Sequence, residues 1–476
     1  MRFDRRIAWL LIVFLVAVSG LQGQSAPVPV ADRYKPAADK IIAAALNDND
    51  GYKDLTYLCD HIGNRIAGSD ALNHAIQWAA QTMKDKGLAN VTTQPVSVPY
   101  WIRGHESASL VAPFNRNLHI LGLGKSVATP AGGITAEIVA VSSFDELVAL
   151  GADRVKGKIV VYNEPWKDYG DASQYRTRGA SRASALGAVA VLVRSATGLA
   201  LAQPHTGTLF YDANAPKIPA AALTVEDAGL LARLYAEGAP VKVHLELENR
   251  LVDSVPSANV VGELVGSEHP EQVVVLGGHI DSWDVGQGAQ DDGSGILASL
   301  EAVAILKKLG LQPRRTIRVV FWTNEESGAS GAAAYRKAIG DEIKNHVAAI
   351  EMDTGAEAPT GIGYGKMGRG ANLAIPAAPD PRSVAYVNQI AGLLASIGVT
   401  GYVPGGGGTD VEPLTNEGVP GLRPVNVNTH YFDWHHSEAD TIDKVDLNDY
   451  RKNIATLAVL SYILADTPEV LAGSKE

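Results

Sequence analysis

The clearest pattern in the chain is a set of short apolar runs, each ending in polar groups. Val273-Val274-Val275-Leu276 is uninterrupted, as expected of a strand buried on both faces of a parallel sheet. Two glycines, Gly277 and Gly278, mark its end. Residues 315–324 repeat the form around Ile317, Val319, Val320, Phe321 and Trp322, and 346–352 repeat it again. An apolar helix over 293–309, stopped by Gly310, joins the first two runs. Strand and helix keep alternating from 257 onward. The pattern predicts an α/β fold with a largely parallel mixed sheet and helices on both faces.

Earlier in the chain, 34–47 reads as a helix and 54–62 as a shorter one. Ser69 or Asp70 can cap a further helix that carries Leu72, Ile76, Ala79, Ala80 and Met83 and stops at Gly87. Residues 92–100 alternate as a strand, and 101–106 form a polar connector. The texture then changes. Between 107 and 250 the strand-like pieces are short (136–141, 158–162, 188–193, 241–247), with small helices at 179–186 and 225–235. No clustered set of ligating side chains appears there. A helix over 446–465 closes the chain. The expected division is 1–26, 27–106, 107–250 as an insert, and 251–470.

The N-terminal stretch has a different character. Arg2, Arg5 and Arg6 precede the apolar run 7–18, and small and polar residues follow. That is the form of a secretory signal peptide, which points to a secreted or periplasmic protein. An uncleaved N-terminal anchor is the alternative. No later apolar run is long enough to span a bilayer. The net charge of −11 argues against non-specific nucleic-acid binding. Cys59 is the only cysteine, so no intramolecular disulfide forms, and a buried inert thiol is the simplest reading of it.

The polar groups at the strand ends carry the chemistry. His279 and Asp281 follow the first run, then Asp291 and Asp292 inside Asp291-Asp292-Gly293-Ser294-Gly295. Glu325 and Glu326 follow the second run, and Asp353 the third. His435, His436 and Asp440 come much later. Imidazole and carboxylate suit a borderline divalent metal, and strand ends are where open α/β sheets place their sites. A solvated polar loop is the plain alternative.

In this order, these motifs resemble the co-catalytic di-zinc peptidases of family M28, and the resemblance covers most of the chain. The runs 155–161, 179–191 and 218–221 resemble a protease-associated (PA) domain, which is inserted in that family. The resemblance implies two zinc ions, with Asp291 bridging. It implies Glu326 and His436 on one zinc, and His279 and Asp353 on the other. Glu325 is then the general base for a metal-bridging water. Asp281 orients the imidazole or the base, and Asp292 is structural and often follows a cis peptide. His435 is left to face elsewhere, toward substrate. Glu325 as a cap of the following helix stays open.

The implied activity is that of a secreted metallo-exopeptidase cleaving dipeptides or short unblocked peptides. An aminopeptidase acting on longer peptides, and a non-catalytic receptor-like binding protein on the same fold, are the alternatives. A homodimer is a further implication. Asp410, Arg369 and His435 are candidates for substrate contact, and Lys366, Arg382 and Arg423 are other cations that could hold a carboxylate. The glycine run 405–408 before Asp410 reads either as a close approach to ligand or as a surface turn.

Overall fold

A computed structural model of the chain describes residues 29–366 and 380–472. The signal-like stretch and Arg369 lie outside the described residues. Two eight-stranded sheets organise the rest. The first runs, in spatial order, Ala89–Ile102, Arg250–Leu264, Arg315–Trp322, His269–His279, His346–Glu351, Gly421–Asn426, Pro359–Tyr364 and Tyr402–Pro404. Its four central strands are mutually parallel. Antiparallel pairs flank them. The fold is therefore the expected mixed α/β sheet.

The four-residue apolar run now has its explanation. Successive side chains on a strand point to opposite faces. Val274 and Leu276 pack into a core with the helices Val30–Leu46, Ser294–Lys308 and Leu447–Asp466. Val273 and Val275 pack into a second core against Ser330–Ile339. Burial of each such side chain contributes about 1.5–3 kcal/mol, so both faces favour this register. Register then sets the site. His279 pairs opposite Trp322, and Gly277 opposite Glu351. Three parallel strands thus end at one edge of the sheet.

One expectation needs correction. The two glycines do not end the strand, which continues through them to His279. A Cβ at Gly277 would lie 1.8 Å from the Val320 carbonyl oxygen. One at Gly278 would lie 1.8 Å from Asp292 Oδ2. The glycines let a neighbouring strand and the acidic loop close onto the strand end.

Residues 106–247 form the second sheet, entered and left through the long antiparallel ribbon of Ala89–Ile102 and Arg250–Leu264. Its strands Ile134–Val141, Ile159–Tyr162, Ala190–Arg194 and Ala220–Leu223 are parallel. They too bury both faces, in two separate cores. The helix expected at 179–186 spans Tyr169–Ser184, capped by the Asp168 side chain, which accepts from Asp171 N at 2.8 Å. Its inner face is Ala172, Tyr175, Arg176, Gly179, Ala180 and Ala183. Those small and polar residues keep helical spacing but hide it from a reading of hydrophobicity.

Candidate metal centre

The loop after the strand His269–His279 is held by buried polar groups. Arg65 is fully buried, and its guanidinium donates to the carbonyls of Ile280 (2.9 Å), Gly63 (2.8 Å), Gln287 (2.7 Å) and Gly288 (3.0 Å). Asp440 accepts from the backbone N–H groups of Ala289 (3.1 Å), Gln290 (2.7 Å) and Asp291 (3.2 Å). Asp292 accepts from His279 N and Gly295 N, both at 3.1 Å. The Asp291–Asp292 peptide bond is cis. Both carboxylate oxygens of Asp292 are thereby engaged by backbone, while Asp291 turns into the site.

The ligating groups meet around Asp291. Its Oδ1 lies 3.2 Å from His279 Nε2, and its Oδ2 lies 3.3 Å from His436 Nε2. His279 Nε2 is also 3.5 Å from Asp353 Oδ1, and His436 Nε2 is 3.0 Å from Glu326 Oε2. The two imidazoles are oriented alike. His279 Nδ1 lies 2.9 Å from the Asp281 carbonyl oxygen, and His436 Nδ1 lies 3.3 Å from the Thr206 carbonyl oxygen. A Nδ1–H bonded to a carbonyl leaves the Nε2 lone pair to the cluster, the usual arrangement of a metal-binding histidine. His436 has a left-handed backbone, φ 59°, and its carbonyl accepts from Thr206 N at 2.9 Å.

The charges fit a cation. Burial pushes the Glu326 carboxyl up to about 8 and the Asp353 carboxyl up to about 6. Burial also opposes ionisation of Asp291, but the hydrogen bond from His279 and the charges of His435 and His436 hold it well below the usual carboxylate range. Asp291 Oδ2 and Glu326 Oε1 are buried with no hydrogen-bond partner. Buried polar atoms are rarely left so. His279, Asp291 and Glu326 each bring one donor atom into a group within 4.8 Å, as do Asp291, His435 and His436. Imidazole and carboxylate donors in this number suit zinc.

The five residues His279, Asp291, Glu326, Asp353 and His436 are thus brought together. Glu325 lies beside them on the wall of a cavity of about 760 Å³. Its backbone N–H donates to Asp281 Oδ1 at 3.1 Å. The carboxylate of Asp281 is 4.0 Å from His279 Nδ1, so it is the Asp281 carbonyl that holds the imidazole and the carboxylate that holds the Glu325 backbone. His435 lines the cavity, stacks on His436 with ring centroids 3.6 Å apart, and reaches Asp291 Oδ2 at 3.4 Å.

Other candidates fall outside the cavity wall. Asp410 is 1% exposed and neighbours Glu351, whose Oε2 accepts from Val411 N at 2.9 Å. Burial and the Glu351 charge raise the Asp410 carboxyl well above its ordinary value. The glycine run before it approaches protein rather than ligand or solvent. A Cβ at Gly408 would meet Glu351 Oε1 at 2.1 Å, and one at Gly406 the Gly421 carbonyl oxygen at 2.2 Å. Arg382 has a side chain 94% exposed, and Arg423 donates to the Gly405 carbonyl at 3.3 Å. Lys366, Arg382 and Arg423 do not line the cavity.

The sequence reading missed the groups that the second sheet sends here. Tyr169, Arg176, Thr177, Thr208 and Phe210 all line the cavity. His205 Nδ1 lies 2.7 Å from the His435 carbonyl oxygen. These residues are scattered over some forty positions, and no spacing in the sequence draws them together.

Comparison with known proteins agrees with this geometry. The model of peptidase family M28 matches residues 259–461. Carboxypeptidase Q of Bos taurus is 40% identical over 426 residues, covering 90% of this chain and 87% of that protein. The crystal structure of a peptidase M28 precursor from Shewanella amazonensis superposes with a TM-score of 0.87 at 31% identity, covering 93% of this chain and 98% of the other. A zinc aminopeptidase from Bacillus subtilis shares the fold, with a TM-score of 0.62 at 20% identity over 86% of this chain and 93% of the other. With 40% identity extending over 90% of its length, the chain belongs to peptidase family M28 and is a zinc metallopeptidase.

Proposed function

We propose that this metallo-exopeptidase hydrolyses unblocked dipeptides or short peptides with two zinc ions and Glu325 as general base. One observation carries the two-metal reading. The two oxygens of Asp291 face two different imidazoles, His279 at 3.2 Å and His436 at 3.3 Å. A carboxylate so divided suits a bridge. Glu326 and His436 would complete one site, and Asp353 and His279 the other. When bound, the zinc ions would polarise the scissile carbonyl and make water a stronger nucleophile near neutral pH. Asp281 fixes the Glu325 backbone beside this cluster. The Glu325 carboxylate accepts the proton of the attacking water and passes it to the departing amine nitrogen. Tyr169, Phe210, Tyr431 and Phe432 around the cavity reduce access of bulk water.

The substrate reading rests on similarity to carboxypeptidase Q and on a cavity of about 760 Å³, within the range for small ligands. One dipeptide tested free, N-acetylated and C-amidated checks it. Loss on both blocked forms is expected. Loss on N-acetylation alone, with ready cleavage of the amide and of longer peptides, would make the enzyme an aminopeptidase.

We also infer that 107–250 is a PA-type insert that shapes the cleft or the oligomer and holds no catalytic group, and that the N-terminal stretch directs secretion. No helix among the described residues is long and apolar enough to cross a membrane. A homodimer is expected by light scattering at micromolar concentration, and a monomer would remove that inference.

A further inference from the structure

The second sheet also brings a lysine to the cavity wall, and that lysine has no acidic partner. Lys125 follows the strand Ile120–Gly122, and its ammonium lies 5.0 Å from the Phe210 ring centre. Gly328 stands close by, where a Cβ would lie 3.6 Å from Lys125 Nζ. Phe210 and Gly328 both line the catalytic cavity. Burial alone acts on the ammonium and lowers it below its ordinary value, with no carboxylate among the described residues near enough to oppose it. Lys86 makes the contrast plain, because Asp54 at 2.6 Å and Glu301 at 2.5 Å neutralise it.

The backbone beneath this lysine is fixed. Gly124 N donates to the Gly207 carbonyl and Leu209 N to the Gly124 carbonyl, both at 3.0 Å. Ser126 N closes a turn onto the Leu123 carbonyl at 2.9 Å, and Trp101 Nε1 donates to the Ser126 carbonyl at 3.2 Å. Lys125 itself has a left-handed backbone, φ 67°, which glycine or asparagine adopts at lower cost. Phe210 is 51% exposed, so an apolar ring and an unpaired ammonium lie side by side at the cavity. A short methylene stem ending in a carboxylate matches that pair. The stem covers the ring, and the carboxylate meets the ammonium.

Position names which side chain of the substrate. Gly328 closes the turn that begins at Glu325, its N–H donating to the Glu325 carbonyl at 3.1 Å. In the mechanism above, Glu325 hands its proton to the departing amine nitrogen. The Cα bonded to that nitrogen belongs to the leaving residue. Its side chain therefore starts nearer this turn than the side chain across the scissile bond. We propose that Lys125 recognises an acidic side chain on the leaving, C-terminal residue, so that the enzyme favours dipeptides ending in aspartate or glutamate. This assignment rests on the dipeptide reading given above, and it concerns the side chain rather than the α-carboxylate.

The test compares kcat/KM for free alanyl-glutamate and alanyl-glutamine, which share a shape and differ in charge. Glutamyl-alanine and glutaminyl-alanine form the reversed pair. The proteins are zinc-loaded wild type, Lys125→Met, Lys125→Arg and Lys125→Glu. Wild type is expected to favour alanyl-glutamate over alanyl-glutamine by about 10-fold, the worth of one hydrogen bond to a charged group, and to show a ratio near unity for the reversed pair. Lys125→Met should bring the first ratio near unity, Lys125→Arg should keep it, and Lys125→Glu should invert it. A general loss of activity cancels in the ratio, and Lys125→Glu decides the matter if the methionine variant does not fold. A wild-type ratio near unity, or one preserved in both Lys125→Met and Lys125→Glu, overturns the proposal while leaving the dipeptide reading intact. So does an acidic preference that appears in the reversed pair instead. Failure to cleave any of the four free dipeptides overturns the dipeptide reading and the proposal together.

Discussion

Both eight-stranded sheets bury apolar side chains on two faces, yet they contribute to the site in different ways. The sheet that holds His269–His279 delivers ligating groups from the ends of three parallel strands. The sheet of residues 106–247 supplies no member of any group that could hold a metal, among the described residues. It sends instead Thr206, His205 and Arg176, which orient His435 and His436 or face the cavity. Parallel strands concentrate chemistry because their C-terminal ends share one edge. The neighbouring layer reaches that edge with scattered groups, the Thr206 backbone and the side chains of His205 and Arg176. Metal-ligand types and the rest of the cavity wall thus come from separate parts of the chain.

If that division holds, substitutions in the two sheets should fail differently. The largest effect is expected at Asp291. Asp291→Ala removes the carboxylate common to both imidazoles, so metal content and activity should fall together, with activity down by about 10³-fold or more. Metal analysis beside peptidase assay measures this, and full metal retention would contradict the bridging role. Asp440→Ala should come next. It leaves three backbone N–H groups of the ligand loop without their acceptor. A loss of about 2–4 kcal/mol in denaturant unfolding is expected, and zinc affinity should weaken by about 10- to 100-fold.

A smaller effect concerns pH in the metal-stripped enzyme. Burial raises the Glu351 carboxyl from 4.5 to about 8 and the Asp440 carboxyl from 3.8 to about 7. Folding then favours the protonated forms. Their stabilising contribution is complete below about pH 4 and is lost as pH rises through 7 to 8. The Tm of the stripped protein should fall between pH 5 and pH 8, and restoring zinc should reduce that fall, since cations favour the ionised forms. A Tm that rises over the same range would contradict this. The least effect is expected at Cys59, which is 2% exposed and whose thiol burial pushes up to about 12. Alkylating reagents should leave activity unchanged, and Cys59→Ala should cost about 1 kcal/mol in stability with no loss of turnover.

The same division explains what the sequence revealed. The strands 273–276, 315–324 and 346–352 were legible because burial on both faces leaves an unbroken apolar run. His279, Glu325, Glu326 and Asp353 were legible because each follows such a run, whereas Asp291 and His436 were legible only through the resemblance of the motif order. Asp353 could be assigned to its strand end for that reason alone. The strands Pro359–Tyr364, Tyr402–Pro404 and Gly421–Asn426 were not legible. They are short and rich in glycine and proline, and long-range pairing holds them in place. Glycines 277 and 278 looked like a strand end because their purpose lies in the atoms that approach them. Arg65 and Arg176 were invisible because a buried arginine is recognised only by its partners, and those partners are distant in sequence.

In the proposed mechanism Glu325 moves the proton while its neighbour Glu326 holds metal. The most direct measurement is zinc content and turnover of purified Glu325→Gln beside wild type. Wild-type zinc content is expected, with a kcat lower by about 10²- to 10⁴-fold, because the amide cannot accept the proton of water. A Glu325→Gln protein that loses its zinc, beside a Glu326→Gln protein that keeps it, would reverse the two roles.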